Sequence, residues 1–184
     1  MSMIKAIIGL GNPGKRFVKT RHNIGFRVLD ALAQEQDAVW RTAGNMKETT
    51  IQGDDGKSIL LIQPQTFMNE SGQIMPTLLK RGIKPDNVIV VHDELEFPFG
   101  KVGYRKGGSA RGHNGLRSII AVSGPDFYRV RCGIGRPERR EEVSDYVLLP
   151  FDEDEAAVNK MVHDACDTIK HILEIEGEHD GSIS

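Results

Sequence analysis

Two apolar runs, Met3–Gly9 and Asn87–His92, constrain the folding of this 184-residue chain more than any other feature. Neither alternates with polar residues. A strand that is apolar at successive positions must be covered on both faces, which is the habit of parallel strands inside an α/β domain. Each run also stops abruptly, the first at Gly11-Asn12-Pro13-Gly14 and the second at His92-Asp93-Glu94. In open α/β sheets, ligands bind in the crevice outside the carboxyl ends of the strands. The polar residues at these two stops are therefore the first functional candidates.

The rest of the chain supplies partners for such a sheet. Apolar residues at Ile24, Phe26, Val28, Leu29, Ala31 and Leu32 predict a helix from about Asn23 to Gln36. Lys47–Gln52 and Ser58–Gln63 read as strands joined by a hairpin turn at Gly53-Asp54-Asp55-Gly56. Ser71–Arg81 predicts a helix stopped by Gly82, with Pro76 expected to remove a bond and kink it. A short strand over Lys101–Arg105, a helix over His113–Val122 and a buried strand over Tyr128–Ile134 follow. The longest helix is expected from Asp152 to about Ile175, with Asp152 and Glu155 as its capping box. The expected fold is α/β: one domain, residues 1–184, with a mixed, mostly parallel sheet flanked by helices on both faces. Residues 177–184 are expected to fray as a polar tail.

Composition narrows the function classes. With 39% hydrophobic and 27% charged residues, the chain suits one globular domain with a core of its own. Neither Cys132 nor Cys166 has a CxxC or CxxH partner, so neither a disulfide framework nor a zinc knuckle is indicated. No stretch reaches the ~20 apolar residues of a membrane span. The run Ala6–Leu10 is too short for a signal-peptide core, and a cytoplasmic protein is expected. The net charge of −2 is unevenly spread: Leu95–Arg140 carries ten Lys or Arg against three acids, whereas two bases face ten acids after Pro150. A basic middle and an acidic end suit a polyanionic partner at one face, or simply solvated surfaces.

Five local patterns carry chemistry, each with a plainer alternative. Gly9-Leu10-Gly11-Asn12-Pro13-Gly14 satisfies the dinucleotide spacing G-x-G-x-x-G. However, Pro13 sits where N–H groups should face a pyrophosphate, and Asp30, the acid at the right distance, falls inside a helix. His22, in Thr20-Arg21-His22-Asn23, is either a helix-start residue or a site residue. His92-Asp93-Glu94 ends a buried strand, where acids cost desolvation unless partnered. Metal binding through these three and His113 is the rival use, disfavoured because strand neighbours point to opposite sides. Asn69, in Thr66-Phe67-Met68-Asn69-Glu70-Ser71-Gly72, is a helix cap or a binding group. Gly107–Gly115 opens a helix whose bare N–H groups suit a phosphate, or is an ordinary glycine-rich connection.

Taken in order, these patterns resemble one family, the peptidyl-tRNA hydrolases of bacterial type. The resemblance rests on Gly9–Gly14, Thr20–Gly25, Thr66–Gly72, His92–Gly100, Gly107–Ile119 and Arg129–Pro137, and covers the chain from about Ile4 to Pro150. It implies an esterase that frees peptide from the 3′-terminal ribose of peptidyl-tRNA, with His22 as base and Asp93 as its orienting carboxylate. It further implies that Asn12 and Asn69 hold the peptide beside the ester, and that Asn114 positions the water or the terminal adenosine. Phe17 and Phe67 join the substrate-binding set, and Arg105, Lys106, Arg111 and Arg131 are expected at tRNA phosphates near the acceptor end. No motif holds an obvious serine or cysteine nucleophile, so direct attack by water is expected. No cofactor, metal or membrane is expected, and a monomer is the default.

The chain departs from the family pattern in places. Phe17 stands where many relatives have tyrosine, Gly103 where a base is common, Arg111 where a glycine is usual, and Glu96-Phe97 replaces an Asp-hydrophobic pair. The family's usual C-terminal ending is missing. The rival readings are an RNA-binding relative without catalysis, as in plant organelles, and a dinucleotide oxidoreductase.

Overall fold

The structure, a computed structural model, describes residues 3–181. In chain order its strands are β1 (Ala6–Gly9), β2 (Arg41–Ala43), β3 (Met46–Gln52), β4 (Ser58–Pro64), β5 (Val88–Glu94), β6 (Val102–Lys106) and β7 (Tyr128–Gly133). The α-helices are α1 (Ile24–Glu35), α2 (Met75–Lys80), α3 (Asn114–Ser123), α4 (Val143–Tyr146) and α5 (Glu155–Gly181). One seven-stranded sheet has the order β2-β3-β4-β1-β5-β7-β6. Its centre, β4-β1-β5-β7, is parallel, and the edges are antiparallel. The expected mixed α/β sheet is therefore what forms, parallel at its centre.

The two apolar runs are adjacent central strands, with Ile7 opposite Ile89 and Ile8 opposite Val90. Side chains alternate across a strand. Ile7, Ile89 and Val91 accordingly pack with α1 and α5 on one face, and Ala6, Ile8, Val88 and Val90 pack with α2 and α3 on the other. Both faces are dry, which is why neither run alternates in sequence. Each such buried side chain contributes about 1.5–3 kcal/mol.

Two helix ends differ from expectation. The stretch over Ser71–Arg81 is α-helical only across Met75–Lys80, and Met68–Ile74 before it is 3₁₀. A proline ring clashes with the carbonyl four residues earlier, so Pro76 bars an α-turn upstream and instead starts α2 without a kink. The long helix starts at Glu155, and its cap is Asp154, whose Oδ1 accepts the Ala157 N–H at 2.8 Å. Asp152 is spent on Arg21 instead, at 3.1 Å. The helix continues through Gly181, and the rest of the expected tail lies outside the described residues. Among the described residues, no helix is long and apolar enough to cross a membrane.

Two glycines set the distance between α1 and the sheet. A Cβ on Gly9 would lie 2.8 Å from the Gly25 carbonyl carbon, and one on Gly25 would lie 2.5 Å from Leu10 N. With no side chain at either position, the start of α1 rests on the end of β1. The residues just before α1, Arg21–Asn23, are thereby brought over the carboxyl end of β5.

Candidate active site

His22 and Asp93 meet at that place. His22 Nδ1 lies 2.8 Å from Asp93 Oδ2, although 71 residues separate them. A third ring completes the cluster: His113 Nε2 is 2.7 Å from Asp93 Oδ1. His113 is the N-cap of α3, its Nδ1 accepting the Gly115 and Leu116 N–H groups at 3.1 and 3.3 Å. A ring nitrogen that accepts carries no proton, so the His113 proton sits on Nε2 and is donated to Asp93. Both carboxylate oxygens of Asp93 are thus occupied, one by each imidazole. The glycine-rich loop therefore does not end in bare N–H groups, because His113 has taken them.

Burial decides less here than charge does. For Asp93, burial alone would raise the carboxyl, but His22 and His113 beside it override this and hold it far below the usual carboxylate range. For His22, burial would lower the imidazole, yet the Asp93 charge and hydrogen bond outweigh it and leave its pKa raised. The proton of neutral His22 is held on Nδ1 toward Asp93, which leaves Nε2 as the basic nitrogen. His92 behaves differently. Burial, then neighbouring His113, push it down to about 4, and its Nδ1 donates to the Asp93 carbonyl at 2.8 Å. It is a neutral wedge, edge-on to His113 at 5.2 Å between ring centroids.

The surrounding loops are bolted together by asparagines. Asn23 does not cap α1, because its amide pairs with the Asn12 backbone in both directions at 2.9 Å. Asn12 Oδ1 in turn accepts the Met68 N–H at 2.7 Å, which leaves its Nδ2 as a donor. This joins the loop after β1 to the turn carrying Phe67 and Asn69, both exposed, with Phe67 56% accessible. Asn69 lies inside the 3₁₀ segment and caps nothing. That segment packs on α3 through Gly72, whose N–H donates to Ser118 Oγ at 2.8 Å. Asn114 is exposed at the first turn of α3, and Phe17 is half-buried with the Arg16 guanidinium 4.5 Å above its ring.

A cavity of about 480 Å³ opens beside the imidazole cluster, lined by His22 and Asp93 and by Arg105, Arg111 and Arg131 among others. Lys106 is not part of it. Adjacent residues of a strand face opposite ways, and Lys106 turns to the other side of β6, over the Tyr128 ring at 5.2 Å. Arg105 and Lys106 therefore do not share the cavity. Arg131 is fixed from two sides, by Glu94 Oε1 at 2.7 Å and by the Phe97 ring at 4.2 Å. The same ring packs on Gly103, where a Cβ would meet it at 3.1 Å. Arg111 adopts φ 47°, a left-handed conformation that glycine takes without penalty. Buried Arg129 holds the glycine-rich loop by donating to the carbonyls of Ser109 at 2.6 Å and of Gly108.

Geometry also bears on the rival uses. His22, Asp93 and His113 place one ligand atom each within 4.8 Å of one another. However, the spacings are those of hydrogen bonds, and the His113 Nε2 lone pair is replaced by a proton, so the set reads as a hydrogen-bond chain. Glu94 is committed to Arg131. The G-x-G-x-x-G spacing has a packing cause in Gly9 and Gly11, where a Cβ would meet Gly25 and the Phe26 ring. Asp30 accepts from Gln63 at 2.9 Å rather than standing at a strand end.

The structure brings His22 and Asp93 together and adds His113, Asn23, Arg21 and Arg129, whose places the sequence undervalued. His113 entered the sequence reading only as a possible fourth metal ligand in a flexible-looking loop. Arg21 and Arg129 look like surface bases, yet both are buried.

Known proteins resemble this chain in sequence and in fold. The family sequence model described as peptidyl-tRNA hydrolase matches residues 6–181. A peptidyl-tRNA hydrolase of Persephonella marina is 42% identical over 93% of this chain and 92% of its own length. One of Oceanobacillus iheyensis is 46% identical over 91% of each. The crystal structure of peptidyl-tRNA hydrolase from Acinetobacter baumannii superposes with a TM-score of 0.85 at 32% identity, over 99% of this chain and 92% of that one. A match of that extent in both sequence and fold places this chain in the peptidyl-tRNA hydrolase family.

Proposed function

We propose that the chain hydrolyses the ester joining a peptide to the 3′-terminal ribose of tRNA, with His22 as general base and Asp93 as its orienting carboxylate. The observation that carries this reading is the 2.8 Å bond from His22 Nδ1 to Asp93 Oδ2 at the edge of an arginine-lined cavity. Nε2 takes a proton from water as the water oxygen bonds to the ester carbonyl carbon. The bond to the ribose oxygen then breaks, and the imidazolium returns its proton to that oxygen. The products are a peptide carboxylate and a tRNA with a free 3′ hydroxyl. General-base action of this kind supplies roughly 10²–10⁴ in rate. Asp93 favours the imidazolium at the moment it forms, in the manner of a hydrolase triad.

Asn12 offers its Nδ2 to a backbone carbonyl of the peptide, and exposed Asn69 and Phe67 lie on the turn bonded to it. Such groups grip backbone rather than side chains, which suits a substrate of variable sequence. Asn114, next to His113, positions the water or the terminal adenosine. Arg105, Arg111 and Arg131 take phosphates of the acceptor end, contacts that give affinity without reading sequence. The setting for such a reaction is the cytoplasm, with one chain sufficient.

The test is an N-acylated aminoacyl-tRNA compared with the same tRNA bearing a free α-amine. Release is expected only from the acylated substrate, because the free amine lacks the peptide carbonyl that Asn12 would hold. Binding without release from either would favour the non-catalytic RNA-binding reading.

A further inference from the structure

The base is held from behind as well as from Asp93. The His22 N–H donates to the Val147 carbonyl at 2.8 Å and the Arg21 N–H to the Leu149 carbonyl at 3.0 Å, and Thr20 bridges Pro150 antiparallel. Arg21 secures this strap with its side chain. Its guanidinium lies 3.8 Å from the centre of the Tyr146 ring, donates to the Tyr146 carbonyl at 2.9 Å, and pairs with Asp152 at 3.1 Å. The Tyr146 hydroxyl is itself anchored on the Ile134 carbonyl at 2.6 Å. A side chain only 3% exposed, with so many partners on one distant segment, is not a surface base.

That segment is also a wall of the cavity, to which Arg136, Arg140 and Val147 contribute. We propose that Arg21 is a positioning residue: by clamping Tyr146 and Asp152 it fixes His22 against Asp93 and ties the base to the wall that would bear on RNA. This rests on the reading of His22 as base and deepens it. A displacement of about 1 Å in a reacting group can cost about 10²-fold in rate, so loosening the clamp should lower kcat far more than it changes KM. The groups facing the His22 ring are Asp93 from β5 and His113 from the start of α3. When His22 moves off Asp93, its imidazole loses the partner that raises it. The base limb of the kcat–pH profile should then move to lower pH, toward an ordinary histidine.

The experiment compares Arg21→Met, Arg21→Lys and Tyr146→Phe with wild type. Arg21→Met should lose on the order of 10² in kcat, with the limb shifted down. Arg21→Lys should recover about tenfold of that, because it keeps the charge toward Asp152. Tyr146→Phe keeps the ring beneath Arg21 and should lose less. The downfield NMR signal of the His22 Nδ1 proton reads the geometry without turnover and should weaken in the same order. An unchanged signal with unchanged kcat and limb in folded Arg21→Met overturns the proposal. If Arg21→Met does not fold, Arg21→Lys and Tyr146→Phe decide by the same readings. If His22→Ala proves fully active, the base reading fails on its own, and the His22 signal still judges the clamp.

Discussion

His113 does two jobs with one ring, and substitution can separate them. Its Nδ1 caps α3, a role whose loss to alanine costs about 1 kcal/mol, within about 0.5–2. Its Nε2–H donates to the Asp93 carboxylate at 2.7 Å, a charge-assisted bond whose loss costs about 1.5–3 kcal/mol in a buried setting. His113→Ala removes both and should cost about 2.5–4 kcal/mol. His113→Asn keeps a good capping side chain but is too short to reach Asp93, so it should lie about 1 kcal/mol above alanine. Urea unfolding at neutral pH reads this as shifted midpoints at constant slope. Acid adds a second reading with a fixed sign. Asp93 is depressed in the folded state, so its stabilisation is present above the unfolded carboxyl range and lost as pH falls through the folded value. Without His113 that folded value rises, and acid unfolding should begin at higher pH. If both variants match wild type within about 0.5 kcal/mol, the His113–Asp93 bond does not contribute as argued; if alanine and asparagine coincide, the cap does not.

Gly25→Ala should destabilise by about 3 kcal/mol or more, despite alanine's better helix propensity. The new Cβ meets backbone of Leu10, which cannot yield without lifting α1 and the His22 strap from the sheet; thermal unfolding and turnover together check this. Arg131→Gln and Arg105→Gln should each reduce the slope of log affinity for tRNA against log salt by about 0.7–0.9, whereas Lys106→Gln should leave it unchanged. Turnover should rise with pH through a His22 value above that of an ordinary histidine. Since the His22 pKa is raised, the stability from its pair with Asp93 is fully present below the unfolded value and lost as pH rises through the folded one, so the active form is the one that has given up the ion pair. In Asp93→Asn the limb should move down and kcat should fall.

The sheet was legible because burial on both faces leaves a plain mark, and Met3–Gly9 and Asn87–His92 carry it. From the residues alone His22 and Asp93 were legible as two candidates at strand and helix ends, and only the family resemblance paired them; that they touch follows from Gly9 and Gly25, whose close packing no hydrophobic pattern records. Lys106 and Arg105 face different sides because strand alternation separates neighbours that sequence reads as one basic patch. Asp154 rather than Asp152 caps α5, since adjacent acids look alike until one is claimed by Arg21. Arg21, Arg129 and His113 were undervalued for a common reason. Their partners are backbone atoms or distant residues, which a sequence does not display.

The mechanism stands on His22, oriented by Asp93, as the base that activates water against the ester. Single-turnover release of peptide from N-acylated aminoacyl-tRNA by His22→Ala beside wild type, with tRNA binding measured on both, decides it. His22→Ala should bind tRNA as wild type does and release peptide at least about 10²-fold more slowly. Release at the wild-type rate would contradict it and return the role of base to another group at the cavity.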